Sequence, residues 1–434
     1  MTPLMDLVRR HRAGGHCGIY SVCSAHPLVL RAAVEHACGS DGYALIEATS
    51  NQVNQEGGYT GLRPAQFRDQ VLEIAKTCGL AHERVLLGGD HLGPNPWRSL
   101  PSEEALERAG RMVEEYVSAG YRKIHLDCSM PCAGDPVVLS DAIVAERSAR
   151  LCAHAEAAWQ RSAGARPVYV IGTEVPPPGG AREALGQLAV TEPEAAASTV
   201  DAHRRAFLAQ GLSGAWERVI ALVVQPGVEF DNDRVINYNP ARAQRLSVSL
   251  EKIPNLVFEA HSTDYQSEAA LTALVRDHFA ILKVGPAATF AMREALWALD
   301  RIEQEWHGDA RSARVRETAL AAMHREPKHW RDYYHGEGHV LDLALQYSLS
   351  DRIRYYWPLP DVSAAVDRLQ QAFLDGAPPM GLLSQYLPSA YDAARSGALP
   401  LRITDIIANH VRQILAQYSR ACNPENYDLN GGTR

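Results

Sequence analysis

Residues 84–91 read RVLLGGDH, an apolar run that passes two glycines and ends on Asp90 and His91. The run is apolar without alternation, as expected of a parallel strand covered on both faces. The same pattern recurs along the chain. Short runs rich in Val, Ile and Leu stand at Cys17–Cys23, Tyr43–Ala48, Arg84–Asp90, Arg122–Asp127, Pro167–Glu174, Arg218–Gln225, Asn255–His261 and Phe279–Gly285. Helical stretches lie between them. Pro27–His36 is one. Ser102–Ala119 is another, with Glu103 and Glu104 near its positive start and Gly120 just past its end. Eight such units over about 290 residues predict an α/β fold, a (β/α)8 TIM barrel. An open doubly wound sheet would normally carry a glycine-rich first βα turn, and GxGxxG is absent. GxxxxGK[ST] is absent too, which argues against a P-loop kinase.

The strand signal stops near Thr289. Residues 1–300 are therefore expected to form the barrel, and residues 301–434 a mostly helical C-terminal extension packed on it. Of the 434 residues 46% are apolar, enough for a sizeable core. The formal charge is -8 with acids and bases interspersed, so no nucleic-acid surface is indicated. No segment approaches the roughly 20 apolar residues of a membrane span. The first residues, MTPLMDLVRRHRAGGH, read as a short amphipathic helix too charged for a signal-peptide core. Eight scattered cysteines suit reduced, buried thiols. A cytoplasmic protein is expected.

Most of the strand-like runs end in polar or ionisable residues, where barrel enzymes place their sites. In chain order these are Ser24 and His26; Glu47, Thr49, Asn51 and Gln52; Asp90 and His91; Asp127 and Ser129; Glu174; Gln225; Glu259, His261, Ser262 and Asp264; and Lys283. His91, Glu174, Gln225 and His261 come from four different strands and could face one space. Two imidazoles, a carboxylate and an amide oxygen suit Zn²⁺, Mn²⁺, Co²⁺ or Ni²⁺. The plainer reading of each histidine is a hydrogen-bonded core residue. Asp90 and Glu174 are the candidate acid/base groups, and Asp90 could instead orient an imidazole. Ser24, His26, Glu47, Asn51, Gln52, Asp127, Ser129, Asp264 and Lys283 are candidate substrate contacts; Asp127 and Asp264 could equally cap local backbone. RDYYHGEGH (331–339) and RIRYYW (352–357) could cover the site, bind phosphate or form an interface.

Seven blocks carry a resemblance. GIYSVCSAHP, LIEATSNQVNQ with GGYTG, GGDHLGPN, HLDCSM, GTEVPPPGG, FEAHSTDYQ, and LKVGPA with TFA and REAL together resemble the GatZ/KbaZ family, the non-catalytic subunit of class II D-tagatose-1,6-bisphosphate aldolase. The family was formerly labelled tagatose-6-phosphate kinase, and the resemblance runs from residue 1 to about 420. It implies a class II aldolase-type barrel whose partner is a catalytic aldolase subunit, in galactitol, galactosamine or tagatose breakdown. A homo-oligomer is a further possibility. More distantly the chain resembles the catalytic class II aldolases, in which an Asp-His pair ends the third strand. Asp90 and His91 match that pair, Asp acting on the C4 hydroxyl and His on zinc. His261 matches a later zinc ligand, and Gln225 stands where another histidine is expected. Ser262-Thr263-Asp264 replaces a glycine-rich phosphate turn. The alternative implied is a metal-dependent enzyme in its own right. It would be an aldolase or a ketose C4-epimerase interconverting fructose and tagatose, on a ketose or ketose phosphate, with Asp90 and Glu174 as acid/base groups. A pure sugar-binding or scaffold protein is the third class.

Overall fold

The computed structural model describes residues 2–162, 164–173, 188–308, 312–374 and 376–423. Its centre is a closed barrel of eight parallel strands: β1 (Ile19–Val22), β2 (Ala44–Thr49), β3 (Val85–Leu92), β4 (Lys123–Leu126), β5 (Val168–Ile171), β6 (Val219–Val223), β7 (Val257–Ala260) and β8 (Ile281–Val284). Each strand pairs with its sequence neighbours, and β1 closes on β8 with Ser21 opposite Lys283. The expected TIM barrel is thus the fold. Each of the eight apolar runs overlaps one strand, and among the described residues the polar groups at the run ends lie near or just beyond the strand C-termini. A short antiparallel pair, Glu229–Phe230 with Val235–Ile236, follows β6.

The opposite mouth is plugged. Thr2 caps the helix Pro3–Arg10, accepting the Met5 N–H on Oγ1 at 3.3 Å. The apolar side of that helix enters the barrel floor, where Leu4 and Val8 pack with Leu45, Val168, Val170, Val257 and Ile281. Burying such a side chain stabilises by about 1.5–3 kcal/mol. The main core lies outside the strands, between sheet and helices.

Beyond β8 the chain runs through Pro286–His307 and a set of further helices, as the sequence pattern suggests. The last helix, Ile403–Cys422, does not stay with that set. It packs against Pro27–Cys38, Glu268–Arg276 and Pro286–His307, so it takes the eighth place in the ring around the barrel. Ion pairs fix it at both ends, Arg31–Asp405 at 2.5 Å and Arg420–Glu268 at 2.7 Å. The Gly18 N–H donates to the Cys422 carbonyl at 2.7 Å. All eight cysteines are free, and among the described residues no helix is long and apolar enough to cross a membrane.

Candidate active site

Strand alternation sends residues two apart to the same side of a sheet. Glu47 on β2, Lys123 and His125 on β4, Glu259 at the end of β7 and Lys283 on β8 are all buried at the upper level of the barrel. The Lys123 ammonium lies 2.8 Å from Glu47 Oε1 and 2.7 Å from Glu259 Oε2. Lys283 Nζ lies 2.8 Å from Glu47 Oε2, 3.0 Å from Asp90 Oδ1 and 3.6 Å from Glu259 Oε1. Gly88 makes room for this network, since a Cβ there would stand 2.7 Å from Glu47 Cγ.

Asp90 and His91 are consecutive, and ordinary strand geometry would point them to opposite faces. A register shift between Gly89 and Leu92, with His91 at φ 48°, lets both line one cleft. A left-handed non-glycine residue costs on the order of 1–3 kcal/mol and marks sites where the surroundings hold it in place. Asp90 Oδ1 takes the His91 N–H at 3.1 Å, and also lies 2.9 Å from His125 Nδ1. Burial pushes the Asp90 carboxyl up, but His91, Lys283 and His125 outweigh it and hold the group well below the usual carboxylate range. His91 Nδ1 meets Asp127 Oδ2 at 2.8 Å. Burial alone would lower the His91 pKa; Asp90 and Asp127 raise it. Asp127 also accepts from the Ser129 N–H and hydroxyl, at 3.0 and 2.6 Å. The imidazoles of His91, His125 and His261 meet with centroids 4.8–5.2 Å apart. His261 lies 3.0 Å from Glu259 Oε1, and burial takes its pKa down to about 4.

The cleft above is lined by Asn51, Gln52, Asp90, His91, His261, Asp264 and Lys283 among others. Those seven were singled out from sequence. Gln52 is braced, its Oε1 accepting the Thr49 N–H at 2.9 Å and its Nε2 donating to the Cys23 carbonyl at 3.2 Å. Asp264 Oδ1 accepts the N–H groups of Gly285 and Ala287 at 2.9 and 2.8 Å, where the helix Pro286–His307 begins. Burial raises its pKa to about 6. Ser24 and His26 line an adjoining cavity instead, where His26 caps the helix Pro27–Cys38. Glu47 lies beneath the cleft in the ion network. Asp127 and Ser129 stand behind His91.

Among the described residues, four groups that could hold a metal converge, and they share one member with the expected set. Asp90, His125, Glu259 and His261 each offer one ligand atom, all within 4.8 Å of one another. His261 is common to both sets, and His91 stands beside this group. Gln225 turns away, its Oε1 accepting the N–H groups of Gly227 and Val228 at 2.8 and 3.0 Å to close its own loop. Glu174 and the VPPPGG turn lie outside the described residues. His125 and Lys123 lie inside an apolar run rather than at its end, where the sequence pattern places functional groups. The alternation Lys123-Ile124-His125-Leu126-Asp127 was the available signal.

A charged, histidine-rich cleft at the C-terminal face of a (β/α)8 barrel defines the class: it lies where barrel enzymes place their sites. More particularly, residues 4–423 match the family described as D-tagatose-1,6-bisphosphate aldolase subunit GatZ/KbaZ-like, and the chain belongs to it. It is similar to a crystal structure of a probable tagatose 6 phosphate kinase from Sinorhizobium meliloti 1021. The two share 48% identity with a TM-score of 0.86, over 93% of this chain and 100% of that one. The fructuronate-tagaturonate epimerase UxaE from Cohnella laeviribosi, solved with glycerol, has 11% identity and a TM-score of 0.50 over 93% of this chain and 81% of its own. That likeness concerns the fold alone.

Proposed function

We propose that the chain is the accessory subunit of a class II tagatose-1,6-bisphosphate aldolase, supporting a catalytic aldolase chain in galactitol, galactosamine or tagatose breakdown. Family membership across residues 4–423 carries this reading. The test is co-purification with a catalytic class II aldolase chain and assay of cleavage with and without this protein. No complex and no gain in activity would sink it.

A second reading, activity of its own, is favoured by one observation. His125 Nε2 is buried without a hydrogen-bond partner beside three other potential ligands. Buried polar atoms are rarely left so. Two imidazoles and two carboxylates suit zinc, and Mn²⁺, Co²⁺ or Ni²⁺ as well. In this reading His125, Glu259 and His261 hold the ion with Asp90 beside it, and the ion when bound would polarise the carbonyl of a ketose or ketose phosphate. The remaining chemistry falls to the chain. Asp90 Oδ1 lies beside the His91 N–H, His125 Nδ1 and Lys283, and Oδ2, 3.7 Å from the Cys23 thiol, takes the proton of a substrate hydroxyl. Asp127 fixes the His91 ring. Asn51 and Gln52 offer amides to sugar hydroxyls, and Glu174 stays the proposed second acid/base group. C4 epimerisation or aldol cleavage fits these parts. Elemental mass spectrometry should find close to one divalent ion per chain, and His125→Ala should lose it. An unchanged ion content in that variant, or none in the wild type after incubation with these metals, overturns the metal site. Asp90→Asn should abolish ketose turnover.

A further inference from the structure

The barrel does not build its cleft alone. Arg354 and Tyr355, from a short turn spanning Arg352–Tyr355 in the C-terminal part, form one wall of it. Arg354 also lines the adjoining cavity of about 450 Å³, and Gln52, Tyr59 and Pro286 border both spaces. Its guanidinium thus stands where the two cavities meet.

That guanidinium is held without a direct ion pair among the described residues, although the charges of Asp351 and Asp264 reach it from farther off. Nη1 donates to the carbonyls of Ser350 and Asp351, and Nη2 to the Tyr355 hydroxyl at 3.2 Å. Among the described residues no carboxylate forms an ion pair with it, and two of its five N–H groups have no protein acceptor. The neighbouring Asp351 is engaged by the Thr289 hydroxyl and lies 3.9 Å from Arg293. Arg354 lies over the Tyr355 ring at 4.7 Å. Tyr355 in turn stacks on His329 at 4.7 Å and meets Tyr59 edge-on at 4.6 Å. An aromatic stack therefore fixes the orientation of the cation.

The other positive features of the cleft are already matched. Lys283 is shared among Glu47, Asp90 and Glu259. The start of the helix Pro286–His307, where an external anion could otherwise dock, is filled by the Asp264 carboxylate. An anionic ligand group would meet repulsion there and find its counter-charge at Arg354.

We propose that Arg354 anchors an anionic group, carboxylate or phosphate, of the ligand whose polyol part lies toward Asp90. The inference rests on reading the cleft as a ketose site and names one end of that ketose. A guanidinium takes either oxyanion through paired hydrogen bonds.

Inorganic phosphate and D-galacturonate serve as anionic probes, and D-fructose as the neutral one. Each is titrated calorimetrically into the full chain at low salt, as wild type, Arg354→Gln and Arg354→Lys. At least one anion should bind the wild type and lose ten-fold or more in Arg354→Gln, with partial retention in Arg354→Lys. Phosphate alone would point to a phosphorylated ketose, and galacturonate alone to a uronate. Equal anion affinity in wild type and Arg354→Gln overturns the proposal, and so does failure of both anions to bind the wild type. Should Arg354→Gln misfold, Arg354→Lys with unaltered anion affinity and salt dependence would overturn it as well. Fructose separates the two readings. Fructose binding with no anion effect spares the ketose site and sinks the Arg354 anchor. Arg354-dependent anion binding without any ketose or metal binding sinks the ketose site and keeps the anchor.

Discussion

Two layers of the barrel interior, only two residues apart on the same strands, follow opposite rules. Leu45, Val257 and Ile281 line the floor, packed against the N-terminal helix. Glu47, Glu259 and Lys283 stand one step higher on β2, β7 and β8, joined in a buried ion network. The floor gains stability from apolar area removed from water. The upper layer must repay the desolvation of each charge by geometry, and apolar residues of similar volume would often serve stability as well or better. Stability alone therefore accounts for the lower layer and not for the upper. On the proposed reading the upper layer is a site, its charges held ready for a ligand.

The comparison breaks most sharply at Lys123. Among the described residues, Lys123→Met would leave Lys283, 2.8 Å from Glu47 and 3.6 Å from Glu259, as the one cation between the two carboxylates. Removing one partner of a buried ion pair costs about 3–5 kcal/mol. Chemical denaturation should show a loss of that order, with loss of ligand and metal binding. A variant as stable as the wild type would mean the network is more hydrated than its burial suggests. Leu45→Ala probes the floor. It should cost roughly 2–4 kcal/mol through a cavity, while metal content and ligand affinity stay at wild-type values. If it altered those as much as stability, the layers would not be separable.

A smaller effect should come from Glu229, a buried carboxyl beyond β6. Burial raises its pKa from 4.5 to about 7. Between those values the unfolded chain has released a proton that the folded chain keeps, so stability falls as pH rises through the window and levels above it. Glu229→Gln should flatten that part of the curve and raise stability at pH 8 relative to pH 5 by on the order of 1–3 kcal/mol. Urea midpoints across pH 4–9 would check it, and parallel curves for the two proteins would contradict it.

The barrel was legible in the sequence because a buried parallel strand has a local signature, and each apolar run overlaps a strand. Asp90, His91, His261 and Lys283 were legible because they sit near run ends. Lys123 and His125 were not, since they lie inside a run where a charge counts against a buried strand. Only closure of the barrel brings Glu47 and Glu259 to meet them. The convergence of Asp90 and His91 depends on a left-handed residue at a register shift, which apolar periodicity does not encode. Gln225 shows that a run end can also serve its own turn, since its Oε1 accepts from Gly227 and Val228. The role of Ile403–Cys422 was hidden because its amphipathic pattern says that it packs, not where.

That last helix has a consequence for how the molecule is made. It bonds to Gly18 and lies against the first and seventh ring helices. Contacts between segments so far apart in sequence are slow to form. At ribosomal speeds of roughly 5–20 residues per second, the nascent chain would carry an open apolar groove beside β1 for much of its synthesis. The barrel can be threaded early, but its outer ring is sealed only when the helix ending at Cys422 has emerged. A chaperone arriving before then would find its binding surface along that seam.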